Sequence, residues 1–212
     1  MKEVTKKTFN IPTYKEFLKG VKEFRKYEAR DPMYKVASFW ISHFWGKPKE
    51  MAEGLGVLLL TWNQAFYRYG RFDFHKLENV LKKSLETISS FKKRSIESFS
   101  KDDEVKIKTL FKDLINALQI NSGKKKGNKS PVATVKALHL LAPSFFPLWD
   151  IKIAQTYKCM WKNSSEAIFK YLIFCEKNKE IIVSLKKYVN EKELILKLLD
   201  EYNYAKFTKK WI

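Results

Sequence analysis

"KSPVATVKALHLLAPSFFPLWDIKIAQTY", residues 129–157, is the stretch on which the fold turns. It reads as two helices in succession. The first spans about 131 to 142 and turns Val132, Val135, Leu138 and Leu141 inward, with Pro143 ending it. "SFFPLW" then crosses to Asp150, which opens the second helix. Lys129 and Asp150 therefore stand at the N-termini of consecutive helices, and a short crossing brings those two ends to one cleft. An aspartate at a helix start is an ordinary cap. In a chain this basic, it is also a candidate for chemistry on nucleic acid.

Outward from this stretch the helical period continues. Upstream, "NSGKKKGNKSP" at 121–131 is the one long basic loop, with Gly123 and Gly127 bracketing a lysine cluster. Backbone amides at such a helix start can hold a phosphate. Thr13 caps a helix faced by Tyr14, Phe17, Leu18, Val21 and Phe24. A second helix follows "DP" at 31–32 and carries Val36, Phe39, Trp40, His43 and Phe44, so "FWISHFW" at 39–45 reads as core. Residues 49–69 form a longer run, and Asp73 starts a helix through Leu77, Val80, Leu81 and Leu85. "SSFKKRSIESFSKDD" reads as a polar loop before the helix of Phe111, Leu114, Ile115 and Leu118. Downstream, Asn163 or Ser164 with Glu166 makes a capping box, and two further helices follow. Strand alternation is missing, so the fold class is all-α, with about nine helices.

Charge narrows the partner. Forty-two Lys and Arg against 23 Asp and Glu leave +19. Such a field draws polyanions, and no helix pairs a purely basic face with a clean apolar one as a membrane-surface helix would. Nucleic acid, double-stranded DNA in the first instance, is the expected partner. No apolar run approaches a membrane span of roughly 18 residues. The N-terminus "MKEVTKKTFNIP" lacks an apolar signal core, so a cytoplasmic, monomeric protein without membrane contact is expected. Cys159 and Cys175 lie in apolar helical patterns and read as reduced core thiols. His43, His75 and His139 are scattered, and no metal or other cofactor is expected. The chain contains no phosphate-binding GxxxxGK[ST], no GxGxxG, no HExxH and no GxSxG. Activity would have to come from Lys, Asp, Glu or aromatic side chains.

These elements resemble the helix–hairpin–helix superfamily of base-excision DNA glycosylases. "KSPVATVKALHLL" is similar to the family's hairpin and following helix, and "FPLWDIKIAQTY" to the element that carries its aspartate. The likeness is greatest to the archaeal 8-oxoguanine glycosylase branch. "LLLTWNQAFYR" at 58–68 is similar to the helix that lines the base pocket. The resemblance covers roughly 50–160. The chain departs from it in the hairpin, which reads "SGKKKGNKS", in the 21-residue spacing from Lys129 to Asp150, and in Trp149 before the aspartate.

The resemblance implies a single unit over 1–212 with two helical lobes, a central one at 31–142 and a second built from 1–30 plus 143–212. It implies Asp150 and Lys129 as catalytic residues, with Lys136 a rival nucleophile at a surface position of its helix. Trp62, Asn63 and Gln64 would bind the base. Lys124, Lys125, Lys126 and Ser130 would hold the DNA backbone. The implied activity is excision of a damaged base, with strand-nicking lyase chemistry if the lysine attacks. A non-catalytic nucleic-acid-binding protein of the same fold is the alternative. A helical interaction protein with a lysine-rich surface is a third.

Overall fold

A computed structural model describes residues 11–189 and 194–212; the first residues of the N-terminal stretch "MKEVTKKTFNIP" lie outside it. Among the described residues the chain is all-α, in the order α1 Tyr14–Tyr27, α2 Asp31–His43, α3 Pro48–Trp62, α4 Gln64–Tyr67, α5 Phe74–Lys92, α6 Glu104–Ala117, α7 Pro131–Leu141, α8 Ile151–Thr156, α9 Ser164–Leu185 and α10 Ile195–Asn203. One π-helical turn, Tyr204–Thr208, follows α10.

The starts obey capping chemistry. Thr13, Asp73, Ser130, Asp150 and Asn163 each accept a backbone N–H of the first turn through the side chain. α7 is the central helix. It packs against α2, α3 and α6, and every one of its residues except Val132 and Lys136 is buried. Its buried histidine is fully used: His139 Nδ1–H donates to the Phe146 carbonyl at 2.8 Å, leaving Nε2 to accept from the Tyr34 hydroxyl at 2.9 Å. Burial presses the imidazole down to about 3, so it stays neutral.

Three expectations change. α2 buries Tyr34, Ala37 and Ile41, while Val36, Phe39 and Trp40 are exposed. Both stripes have helical spacing, and the packing of α3 on the first one decides. The stretch 89–103 is not a plain loop. α5 runs on to Lys92, and two 3-10 turns then bury Ile96 and Phe99. Arg94 closes this corner with a bidentate pair to Asp103 at 2.6 and 2.8 Å. The basic loop before α7 is a closed hairpin. Ile120 N–H donates to the Asn128 carbonyl at 2.9 Å, and Gly127 N–H to the Ile120 carbonyl at 2.7 Å. Gly123 and Gly127 supply the left-handed corners, φ +78° and +85°. A Cβ at Gly123 would also stand 2.8 Å from the Tyr69 carbonyl oxygen.

The first and last of these helices meet. α1 packs along α10. Lys197 of α10 is buried between Glu201 at 2.9 Å and Asp31 at 3.3 Å, with the Phe24 ring 4.3 Å from its amine. Breaking such a buried pair costs about 3–5 kcal/mol, so this cluster fastens α10 to the start of α2. No helix among the described residues is long and apolar enough to cross a membrane.

Candidate active site

A cavity of about 520 Å³ opens where five segments converge: the α1–α2 junction, the α3–α4 break, the face of α7, the start of α8, and α10 with its π turn. This lies within the usual size range of small-ligand sites.

Asp150 sits on the wall as the cap of α8. One carboxylate oxygen accepts Ile153 N–H at 2.8 Å, and the other accepts the Thr208 hydroxyl at 2.6 Å. Both contacts hold the carboxylate in a fixed orientation. Thr208 reaches it because the backbone after α10 widens into a π turn, a distortion frequent at functional sites. The same segment brings Asp200 and Tyr204 to the cavity, each one helical turn from the next.

Lys136 faces the cavity from α7. Its Nζ donates to the Trp62 carbonyl at 3.0 Å and to Asn63 Oδ1 at 2.5 Å. The side chain is part-buried by area, but protein surrounds the amine. That desolvation pulls it from the usual 10.5 down to about 8, with Arg30 adding in the same direction and Asp200, Asp150 and Glu28 opposing. The neutral amine is therefore far more accessible near neutral pH than in an ordinary lysine.

Asp200 is 8% exposed, and no hydrogen bond to its carboxyl is found among the described residues. Burial lifts it to about 7, aided by Asp150 and Glu201 and resisted by Lys197 and Lys136. Near neutrality it offers either a donor or an acceptor. Arg30 is spread over a bidentate contact to Glu28 at 2.8 and 2.9 Å and a contact to the Tyr204 hydroxyl at 2.7 Å. Trp62 stacks on Tyr34 with ring centres 5.7 Å apart and donates its indole N–H to the Arg30 carbonyl at 3.0 Å.

Asp150, Trp62, Asn63, Gln64 and Ser130 thus line one cavity. Asn63 is buried and engaged by Lys136, Gln64 is exposed, and Ser130 spends its hydroxyl capping α7 at Ala133. Lys124, Lys125, Lys126 and Lys129 are exposed on the hairpin and take no part in the cavity wall. The surface position expected for Lys136 is corrected: α7 has no solvent face, so its one charged side chain must point into a cavity. That signal was present in the sequence, since Lys136 is the only charge in "PVATVKALHLL". Glu28, Arg30, Asp200, Tyr204 and Thr208 had no local motif to mark them. No group of three or more His, Cys, Asp or Glu able to hold a metal occurs among the described residues. Searches with the chain find no matching family model, no matching curated protein and no matching solved structure.

Proposed function

We propose that this chain is a DNA base-excision glycosylase of two-lobed helix–hairpin–helix type, acting on a damaged base turned out of the duplex into the cavity. The observation that carries the reading is a depressed-pKa amine and a doubly anchored carboxylate, Lys136 and Asp150, on the walls of one aromatic-lined cavity. The closed 120–128 hairpin between α6 and α7 and the net charge of +19 support it. In this reading the central lobe is 31–142, and the hairpin lysines touch phosphates while the cavity takes the base.

Lys136 is the nucleophile. Its neutral amine attacks the sugar carbon C1′. The N–C1′ bond forms as the bond from C1′ to the base breaks, and the electron pair leaves with the base. Asp150 stabilises the positive charge that grows on the sugar. The proton lost from the new ammonium goes to O4′ as the C1′–O4′ bond breaks and the ring opens to an imine. Removal of a C2′ proton then forms the C2′=C3′ double bond as the C3′–O bond breaks and the 3′ phosphate leaves with that electron pair. Trp62 and Phe66 offer stacking surfaces for the base, and Asp200 is placed to read its polar edge. Incubation with duplexes carrying single lesions tests the reading. Release of one base, with a borohydride-trapped complex, supports it. Tight duplex binding with no release on any lesion would leave a non-catalytic binding protein.

Two expectations follow from the geometry. Duplex affinity falls steeply with salt, by about 0.9 in log K per log salt for each phosphate neutralised. Replacing Lys124, Lys125 and Lys126 together by alanine lowers that slope by about 1 for each phosphate left without its lysine. Fluorescence anisotropy across salt concentrations measures this, and a slope indifferent to the triple change would remove the hairpin from the DNA-binding surface. Thr208→Val keeps the shape of the side chain but withdraws the 2.6 Å donor from Asp150. Stability drops by about 1 kcal/mol. Excision slows about tenfold as the carboxylate loses its orientation, and Thr208→Ser restores it. Single-turnover rates decide, and an unaltered rate in the valine variant would make the hydrogen bond purely structural.

A further inference from the structure

Asn63 occupies the break between α3 and α4. Its N–H donates to the Leu59 carbonyl at 3.0 Å, closing α3, and its own carbonyl accepts Phe66 N–H at 2.9 Å and Tyr67 N–H at 3.1 Å, opening α4. The backbone is therefore fixed from both sides. The residue is 8% exposed, and its amide oxygen lies 2.5 Å from Lys136 Nζ. One residue earlier, the Trp62 carbonyl lies 3.0 Å from the same nitrogen.

A neutral primary amine has two N–H groups and one lone pair in tetrahedral array. Two acceptors on the α3–α4 break use both N–H groups. We infer that Asn63 is a positioning residue which, with the Trp62 carbonyl, holds Lys136 so that the lone pair of its neutral amine is directed into the cavity. The inference rests on the reading of Lys136 as nucleophile. It assigns Asn63 to the lysine and not to the base.

Neutrality of the acceptor is what suits it to this work. A carboxylate at 2.5 Å would favour the ammonium and hide the lone pair behind a proton. An amide oxygen orients the nitrogen at far smaller electrostatic bias. The charged groups that face the amine are Asp150 at the head of α8, Asp200 of α10, and Glu28 and Arg30 at the α1–α2 junction. Lys197, behind Asp200, acts on that carboxyl. Within this balanced set the amine lies at about 8. A further negative charge at position 63 tips it toward the proton.

The test compares wild type, Asn63→Asp and Asn63→Ser as full chains. Formaldehyde with cyanoborohydride methylates neutral amines. The amine and aldehyde lose water to give an iminium, and hydride from the reagent adds to its carbon. Peptide mass spectrometry then follows Lys136 labelling against pH, with no DNA present. Wild type should show a midpoint near pH 8 at Lys136. Asn63→Asp, nearly identical in shape, should move the midpoint up by about one unit and cut labelling at pH 7.5 about tenfold. Labelling of Asn63→Asp that tracks wild type at every pH would overturn the inference. Should the aspartate variant fail to fold, Asn63→Ser decides through single-turnover trapping on a lesion duplex. A chemical step slowed about tenfold with unchanged duplex affinity supports positioning, and an unchanged step overturns it. A shifted midpoint in Asn63→Asp, with wild type releasing no base from any lesion duplex and trapping none, upholds the positioning role and overturns the glycosylase reading.

Discussion

Lys136→Met should eliminate borohydride trapping and slow strand nicking by roughly 10³-fold or more, the scale seen when a nucleophile is deleted. Methionine fills the same unbranched volume on α7, so the cavity keeps its shape while losing the amine. Stability should not suffer. The folded-state value of Lys136 is about 8, below the usual 10.5, so the folded chain holds this proton less tightly than the unfolded chain. Between about pH 8 and pH 10.5 the unfolded state binds more protons, and stability contributed by this group rises with pH across that window. Below pH 8 the buried amine costs stability, which methionine removes. Thermal melts at neutral and alkaline pH should therefore show Lys136→Met at least as stable as wild type at pH 7, without the wild-type gain on the alkaline side. Lys129→Ala is the control. It should retain trapping and bind duplex somewhat more weakly, through one phosphate fewer. Trapping that survives in Lys136→Met and vanishes in Lys129→Ala would move the nucleophile to the hairpin.

Asp150→Asn should separate chemistry from capping. Asparagine caps a helix about as well as aspartate, so stability should change by less than about 0.5 kcal/mol. Its amide oxygen can still accept Ile153 N–H, and the Thr208 hydroxyl can rotate to accept from the amide nitrogen. What disappears is negative charge beside the sugar carbon, and base excision should fall about 10²- to 10³-fold. Rapid-quench measurement of base release gives the rate, and a melt of the same sample gives the stability. A variant indistinguishable from wild type in both would reduce Asp150 to a cap.

The parts of this molecule legible in the sequence are those fixed within one or two turns of chain. Asp150 reads as the head of a helix because an apolar crossing ends in an acceptor, and Ile153 N–H takes that acceptor. The all-α class follows from unbroken helical spacing. Faces were harder. On α2 the exposed stripe is more aromatic than the buried one, because Tyr34 and Ala37 count weakly as apolar although both are buried. Lys136 was legible in principle, since a helix without a polar face cannot place a lysine in solvent. Lysines are usually surface charges, but α7 lacks the polar face that such a setting needs. The far wall was not legible at all. Asp200, Tyr204 and Thr208 meet Asp150 and Lys136 through the packing of α10 and its π turn on α1 and α8, and no spacing within the chain encodes that meeting.

That far wall also bears on the order of events as the chain is made. Residues 31–141 hold α2, α3, α5, α6 and α7, which pack on one another and can do so while the remainder is still in the ribosome. Lys136 and Asn63 are among them. α1 precedes α2 in the chain, yet its partner is α10, so its packing waits until α10 has been made. Until residues 200–208 emerge, Asp150 has no threonine against it and the cavity that Lys136 faces lacks the wall bearing Asp200, Tyr204 and Thr208. The cavity is complete only once that wall is in place.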